Sequence, residues 1–129
     1  MKIQALAVVL LASASFAACT SMATHPTMVS NEMVTGNNGM TLYVYDKDVA
    51  GSGKSTCNGP CAANWPPLIA SDFAMASEGG SSDLTLIVRD NGKQQWALKG
   101  KPLYYWVNDQ KPGDKTGDGV KGVWHVAKP

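Results

Sequence analysis

The stretch TLYVYDKD, Thr41 to Asp48, returns 61 residues later as PLYYWVND, Pro102 to Asp109. Gly39, Leu42, Tyr43, Tyr45 and Asp48 fall on Gly100, Leu103, Tyr104, Trp106 and Asp109 at that one offset. Trp65 before PPL and Trp124 before HVAKP follow at an offset of 59. Each half therefore runs strand, aromatic-Asp phrase, glycine-rich loop, tryptophan strand. Repeated units this small bury their apolar faces against each other, so the chain is expected to fold as a pseudo-symmetric pair around one core.

Signals for short strands joined by turns surround the repeat. NEMVT and MTLYVY flank GNNG, and DLTLIVR and KQQWALK flank Asn91-Gly92, a dipeptide whose residues both accept positive φ in a tight hairpin. Gly100 turns the chain into PLYYW, and GVWHVAKP supplies a last strand with Trp124 and Val126 on one face and His125 on the other. Helical periodicity is scarce; SDFAMASEGG offers one turn capped by Ser71 or Asp72. The predicted class is all-β: one small domain of short antiparallel strands. The repeats are expected at 31–70 and 100–129, with an intervening hairpin at 83–99.

The N-terminus has a different character. Lys2 precedes an uncharged apolar run from Ile3 to Phe16, then Ala17, Ala18 and Cys19. The run is too short for a permanent bilayer span and reads as a signal peptide over 1–18. Its ending resembles the lipobox of bacterial lipoproteins, with Phe16 where Leu is usual. The resemblance implies a lipidated Cys19 whose acyl chains anchor the protein, each buried methylene contributing about 0.8 kcal/mol. Thr20, not Asp, follows the cysteine, which by the same resemblance favours the outer membrane, facing the periplasm. Residues 19–30 read as a lipidated tether, with the folded part starting near Ser30. Past residue 18 the chain has ten acids and ten basic residues; this even balance argues against a nucleic-acid partner.

The two aromatic-Asp phrases, the segment CNGPCAANWPPL, the block RDNGKQQWALKGKPLYYW and the closing GVWHVAKP occur in order from Asn31 to Pro129. In this the chain resembles the bacterial secreted-repeat lipoproteins that carry a Tyr-x-aromatic-x-x-Asp motif. The resemblance implies an envelope location and no defined activity, the family repeat having no established function.

Two readings of the motif stand side by side. Residues two apart on a strand share a face, so Tyr43 with Tyr45, and Tyr104 with Trp106, form short ladders; these either build the scaffold or stack on a sugar, peptide or other flat ligand. Asp48 and Asp109 stand at strand exits, where a carboxylate accepts backbone N–H groups and fixes a turn. Cys57 and Cys61 are the only cysteines left once Cys19 carries lipid, and in an exported protein they are expected to form a local disulfide.

A rival reading gives the same pair thiol-redox or copper chemistry. The Cys-x-x-x-Cys spacing resembles the copper loop of oxidase-assembly chaperones, with His125 as third ligand and Met28, Met33, Met40 and Met75 as possible thioethers. The strand-rich pattern does not match the helix-rich fold of those chaperones. Asp109, Asp114 and Asp118 share one glycine-rich loop but miss the calcium-loop spacing. Signatures of hydrolases, phosphate-binding loops and zinc proteases are missing, and Asp46 with Asp48 is a weak carboxylate pair. The sequence thus points to a non-catalytic binding or interaction module, with an envelope protein or glycan as partner. The oligomeric state is not legible in it.

Overall fold

A computed structural model describes residues 26–70 and 83–129. The signal segment, Cys19 and the turn expected in SDFAMASEGG lie outside the described residues. The elements are β1 (Thr27–Ser30), β2 (Met33–Gly36), β3 (Tyr43–Tyr45), helix α1 (Pro60–Asn64), β4 (Leu84–Val88), β5 (Gln94–Leu98), β6 (Lys101–Pro102) and β7 (Trp124–Val126). A 3-10 turn, Val120–Gly122, precedes β7. Every paired strand is antiparallel, in the groupings β1-β2, β3-β7 and β4-β5-β6. The fold is the expected all-β class in one small domain.

Three local features differ from the sequence reading. The fold starts at β1, inside the stretch read as tether: Thr27 to Ser30 pair with Gly36 to Met33 through a two-residue turn of Asn31 (φ 49°) and Glu32 (φ 63°). The β4-β5 hairpin turns over three residues: Arg89 N–H donates to the Lys93 carbonyl at 2.8 Å, and only Gly92, at φ 81°, takes positive φ. This is the longer hairpin loop that ends in a left-handed glycine. Helix α1 was not foreseen; Pro60, whose fixed φ suits the first helical turn, starts it after Gly59.

Gly100 behaves as expected. With Lys99 (φ 51°) it forms the β5-β6 turn at φ 81°. A Cβ there would lie 2.5 Å from the backbone nitrogen of Gly51, which itself donates to the Gly100 carbonyl at 3.0 Å. The loop leaving the first motif is thus held against the turn entering the second.

The repeat is written in the backbone hydrogen bonds. One ring takes Val34 and Leu42 from the first half and Ala127 from the second: Val34 N–H donates to Ala127, Ala127 to Leu42 and Leu42 back to Val34, at 2.9, 2.8 and 3.0 Å. The other takes Trp96 and Leu103 from the second half and Leu68 from the first: Trp96 donates to Leu68, Leu68 to Leu103 and Leu103 back to Trp96, at 2.9, 2.9 and 3.0 Å. Each set closes a ring joining three strand segments. β2 in the first ring corresponds to β5 in the second, so the hairpin read as lying between the repeats holds the place in the second half that β1-β2 holds in the first.

The same six residues form one of the two cores. Val34, Leu42, Leu68, Trp96, Leu103 and Ala127 pack together, all buried. Their amides and carbonyls are satisfied by the rings, so apolar burial here carries no unpaired backbone group. The halves share the volume unequally: Trp96 and Leu68 stand where Val34 and Ala127 stand in the first ring. Alternation along the strands then sends Tyr43, next to Leu42, and Tyr104, next to Leu103, into the second core.

Leu42 and Leu103 are each completely buried. Leu42→Ala and Leu103→Ala are each expected to cost about 3 kcal/mol, the transfer free energy plus a cavity. Denaturant titration checks this; a loss below about 1 kcal/mol at either position contradicts the ring-centred core.

Candidate functional site

The second core surrounds the pseudo-two-fold axis. Tyr43 and Tyr104 face each other there, exchanging backbone N–H···O bonds of 2.8 and 3.0 Å. Each hydroxyl crosses to the other half. Tyr43 Oη donates to Asp109 Oδ2 at 2.6 Å, and Tyr104 Oη donates to Asp48 Oδ2 at 2.6 Å. The second oxygen of each carboxylate fixes its own loop: Asp48 Oδ1 accepts from Thr56 N–H and Oγ1 at 2.7 and 2.6 Å, and Asp109 Oδ1 from Thr116 N–H and Oγ1 at 3.0 and 2.6 Å. The turn-fixing role expected of the two aspartates is present, joined by a cross-repeat bond that the sequence did not reveal.

The remaining aromatics form a four-ring column. Tyr45 stacks on Trp124 (centroids 4.2 Å), Trp124 on Trp65 (3.8 Å, planes 5° apart) and Trp65 on Trp106 (4.0 Å). Tyr43 meets Trp65 edge-on at 5.4 Å, and Tyr104 meets Trp124 edge-on at 5.2 Å. Again the contacts alternate between halves, each ring pair contributing about 1 kcal/mol beyond area burial. Tyr43 and Tyr104 are buried, while Tyr45 and Trp106 end the column half-buried. The ladder geometry therefore serves the scaffold, and only its ends reach the surface.

The halves diverge after the threonines. Gly117 follows Thr116, and a Cβ on it would lie 2.8 Å from the Trp65 ring and 3.0 Å from the Trp106 ring. The matching residue in the first half is Cys57, fully buried and bonded to Cys61 with Cα atoms 5.2 Å apart. The expected disulfide thus fastens the start of α1 to the aromatic core.

Arg89, the chain's single arginine, lies buried behind this loop. Its guanidinium donates to Gln95 Oε1 (2.7 Å), Ser55 Oγ (3.0 Å), the Cys57 carbonyl (2.7 Å) and Asn58 Oδ1 (3.2 Å). Ser55 Oγ lies 2.6 Å from Tyr104 Oη, so a polar chain runs from Arg89 through Ser55 and Tyr104 to Asp48. Buried charge is retained where such partners satisfy it. Sequence reasoning alone singles out none of Thr56, Thr116, Ser55, Gln95 or Arg89. A usable signal was the threonine eight residues after Asp48 and seven after Asp109.

The other candidate ligands are dispersed. His125 Nε2 pairs with Asp46 Oδ2 at 2.8 Å in an exposed position, on the face of β7 opposite Trp124. Cys57 and Cys61 are bonded to each other, and the described residues contain no group of three His, Cys, Asp or Glu placed to hold a metal. With the disulfide formed, Cys57, Cys61 and His125 are not gathered into such a group. Asp114 Oδ2 accepts the Gln110 and Lys111 amides, and Asp118 Oδ1 accepts the Val126 amide. Asp109, Asp114 and Asp118 thus each bind backbone or side chains of their surroundings.

Beside the disulfide lies a cleft of about 430 Å³. Tyr45, Trp65 and Trp124 line it together with Cys61 and Asn64 of α1, and the exposed Lys47 and Lys121 also border it. It lies at the Tyr45 end of the aromatic column.

A family model described as a secreted repeat of unknown function matches residues 31–69 and 85–128, and the chain belongs to that family. The second matched stretch begins within β4, in keeping with the hydrogen-bond rings. No curated protein and no solved structure matches the chain.

The tyrosine hydroxyls carry a pH prediction. Burial first, then the bond to Asp109, pushes the Tyr43 hydroxyl well above its usual pKa of 10, with Gly117 N–H pulling the other way. Burial and then the bond to Asp48 do the same for Tyr104, opposed by Ser55 and Arg89. A pKa raised on folding means that the folded state holds protons the unfolded chain releases. The stability these hydroxyls supply is fully present below about pH 10 and is lost as pH rises beyond it. Melting temperature should fall steeply above pH 10, with Tyr43 and Tyr104 titrating only as the fold opens. Tyr43→Phe and Tyr104→Phe should each cost about 2 kcal/mol at neutral pH by leaving a buried carboxylate short of a donor, and should flatten that fall. Unchanged melting between pH 9 and 11 contradicts the assignment.

Proposed function

We propose that the protein is a lipid-anchored component of the bacterial cell envelope whose domain is a non-catalytic binding module. Cys19 is the anchored residue, and the absence of Asp after it favours the outer membrane with the domain in the periplasm. Membership of a secreted-repeat family supports export. No helix among the described residues is long and apolar enough to cross a membrane; lipid on Cys19 is the proposed attachment.

The cleft beside Tyr45 carries the binding reading. Most motif residues are consumed in closing the fold: Tyr43, Tyr104, Asp48 and Asp109 are buried and bonded to one another. The column ends in a surface depression whose volume suits a small ligand or one side chain of a partner. A glycan or an envelope protein is the proposed occupant.

Mass spectrometry of protein isolated from membranes should find an N-terminal Cys19 carrying acyl chains; an unmodified N-terminus beyond residue 18 removes the anchor. Titration with glycans, peptidoglycan fragments and envelope proteins should give at least one saturable isotherm that Tyr45→Ala weakens while melting changes little. Isotherms indifferent to Tyr45, or none at all, contradict the module.

A further inference from the structure

The cleft beside Tyr45 is chemically one-sided. Lys47 and Lys121 stand on its rim, and no Asp or Glu among the described residues lines it. Nearby charged groups are engaged: Lys101 Nζ donates to the Asp48 carbonyl, Asp118 accepts the Val126 amide, and Asp46 pairs with His125. No hydrogen bond to another described residue occupies Lys47 Nζ, Lys121 Nζ, the Tyr45 hydroxyl or the Asn64 amide. Four polar groups thus converge on one depression with their hydrogen-bonding capacity open.

The backbone supplies an independent observation. Lys121 sits in the left-handed region (φ 52°, ψ 17°), between Gly119 (φ 81°) and Gly122 (φ 66°). Its neighbours meet the same demand with glycine, at no steric cost. As Lys99 does in the β5-β6 turn, the lysine there accepts backbone strain that a glycine would avoid. That side chain lies on the rim of the cleft.

We propose that the cleft binds an anionic saccharide, Lys47 and Lys121 holding its carboxylate or phosphate while the Tyr45 ring lies against a sugar face and Asn64 meets its hydroxyls. This rests on the reading of the domain as a binding module. Tyr45 suits the task because Trp124 covers one face of its ring and it ends the column. An aromatic flanked by amide and ammonium donors matches a sugar's apolar ring face and polar rim.

Isothermal titration of the full-length protein in detergent tests this. The probes are an oligogalacturonate, a phosphorylated disaccharide, a neutral galactose oligomer of equal length and a glutamate peptide. At least one acidic sugar should bind saturably, roughly tenfold tighter than the neutral oligomer, and more weakly as salt rises. Which acidic sugar binds separates a carboxylate source from a phosphate source. Lys47→Gln and Lys121→Gln should each lose roughly tenfold. Lys121→Gly should lose the same affinity with its melting temperature held or raised, a combination that a structural lysine would not give. Equal binding of neutral and acidic oligomers, tighter binding of the glutamate peptide, or lysine variants that bind like the parent overturn the proposal. Saturable binding of a neutral ligand at Tyr45 sinks only the anionic assignment; no binding by any glycan, peptide or envelope protein sinks the module with it.

Discussion

A phenol buried against a carboxylate satisfies two polar groups with one short bond, provided that the proton stays on the phenol. Here that bond is made twice, and each time the two partners come from different halves of the chain. Each half fixes its own loop through one carboxylate oxygen and offers the other to the opposite half: Asp48 binds Thr56 and Tyr104, and Asp109 binds Thr116 and Tyr43. The loops, the disulfide and the aromatic column all hang from this exchange, because the same two tyrosines pair backbone to backbone on the axis and press edge-on against the central tryptophans.

The symmetry is kept where the fold needs it and broken elsewhere. Backbone rings, Tyr–Asp bonds and the Trp65–Trp124 pair are matched; Gly117 opposes Cys57, and Tyr45 opposes Trp106. Ser55 of the first half and Arg89 of the second stand behind Tyr104, whereas among the described residues the Gly117 amide donates to the Tyr43 hydroxyl at 3.2 Å. Asymmetry gathers around the disulfide, and so does the cleft. A duplicated frame can spare one copy of a loop for a ligand while the other preserves the packing.

Much of this was legible in the sequence, for identifiable reasons. The offset of 61 aligned Leu42 with Leu103 and Tyr43 with Tyr104, and period-two alternation assigned Trp124 and Val126 to one face. Repetition tells which residues are equivalent but not which copy bonds to which, so the crossed Tyr–Asp pairing lay beyond it. β1 escaped notice because Thr27–Ser30 is short and largely exposed, with no apolar alternation to mark it. Arg89 was hidden for the opposite reason: beside a polar turn it reads as a surface charge, and only the fold brings Gln95, Ser55 and Cys57 around it. The scaffold reading of the motif fits its buried members, while Tyr45 kept a surface and with it the open question of a ligand.

The exchanged bonds have the form of an isologous interface, in which one patch contacts its own copy and every contact is made twice. In most proteins such a patch separates two polypeptides. Here a covalent linker has drawn both copies into one chain, so what would be a concentration-dependent association has become intramolecular. Once the partner is tethered, its two surfaces are free to drift apart in sequence, since a change on one side is no longer copied to the other. A self-matched dimer must present two identical openings; here the cleft lies beside a disulfide that has no counterpart in the second half, where Gly117 stands in place of Cys57.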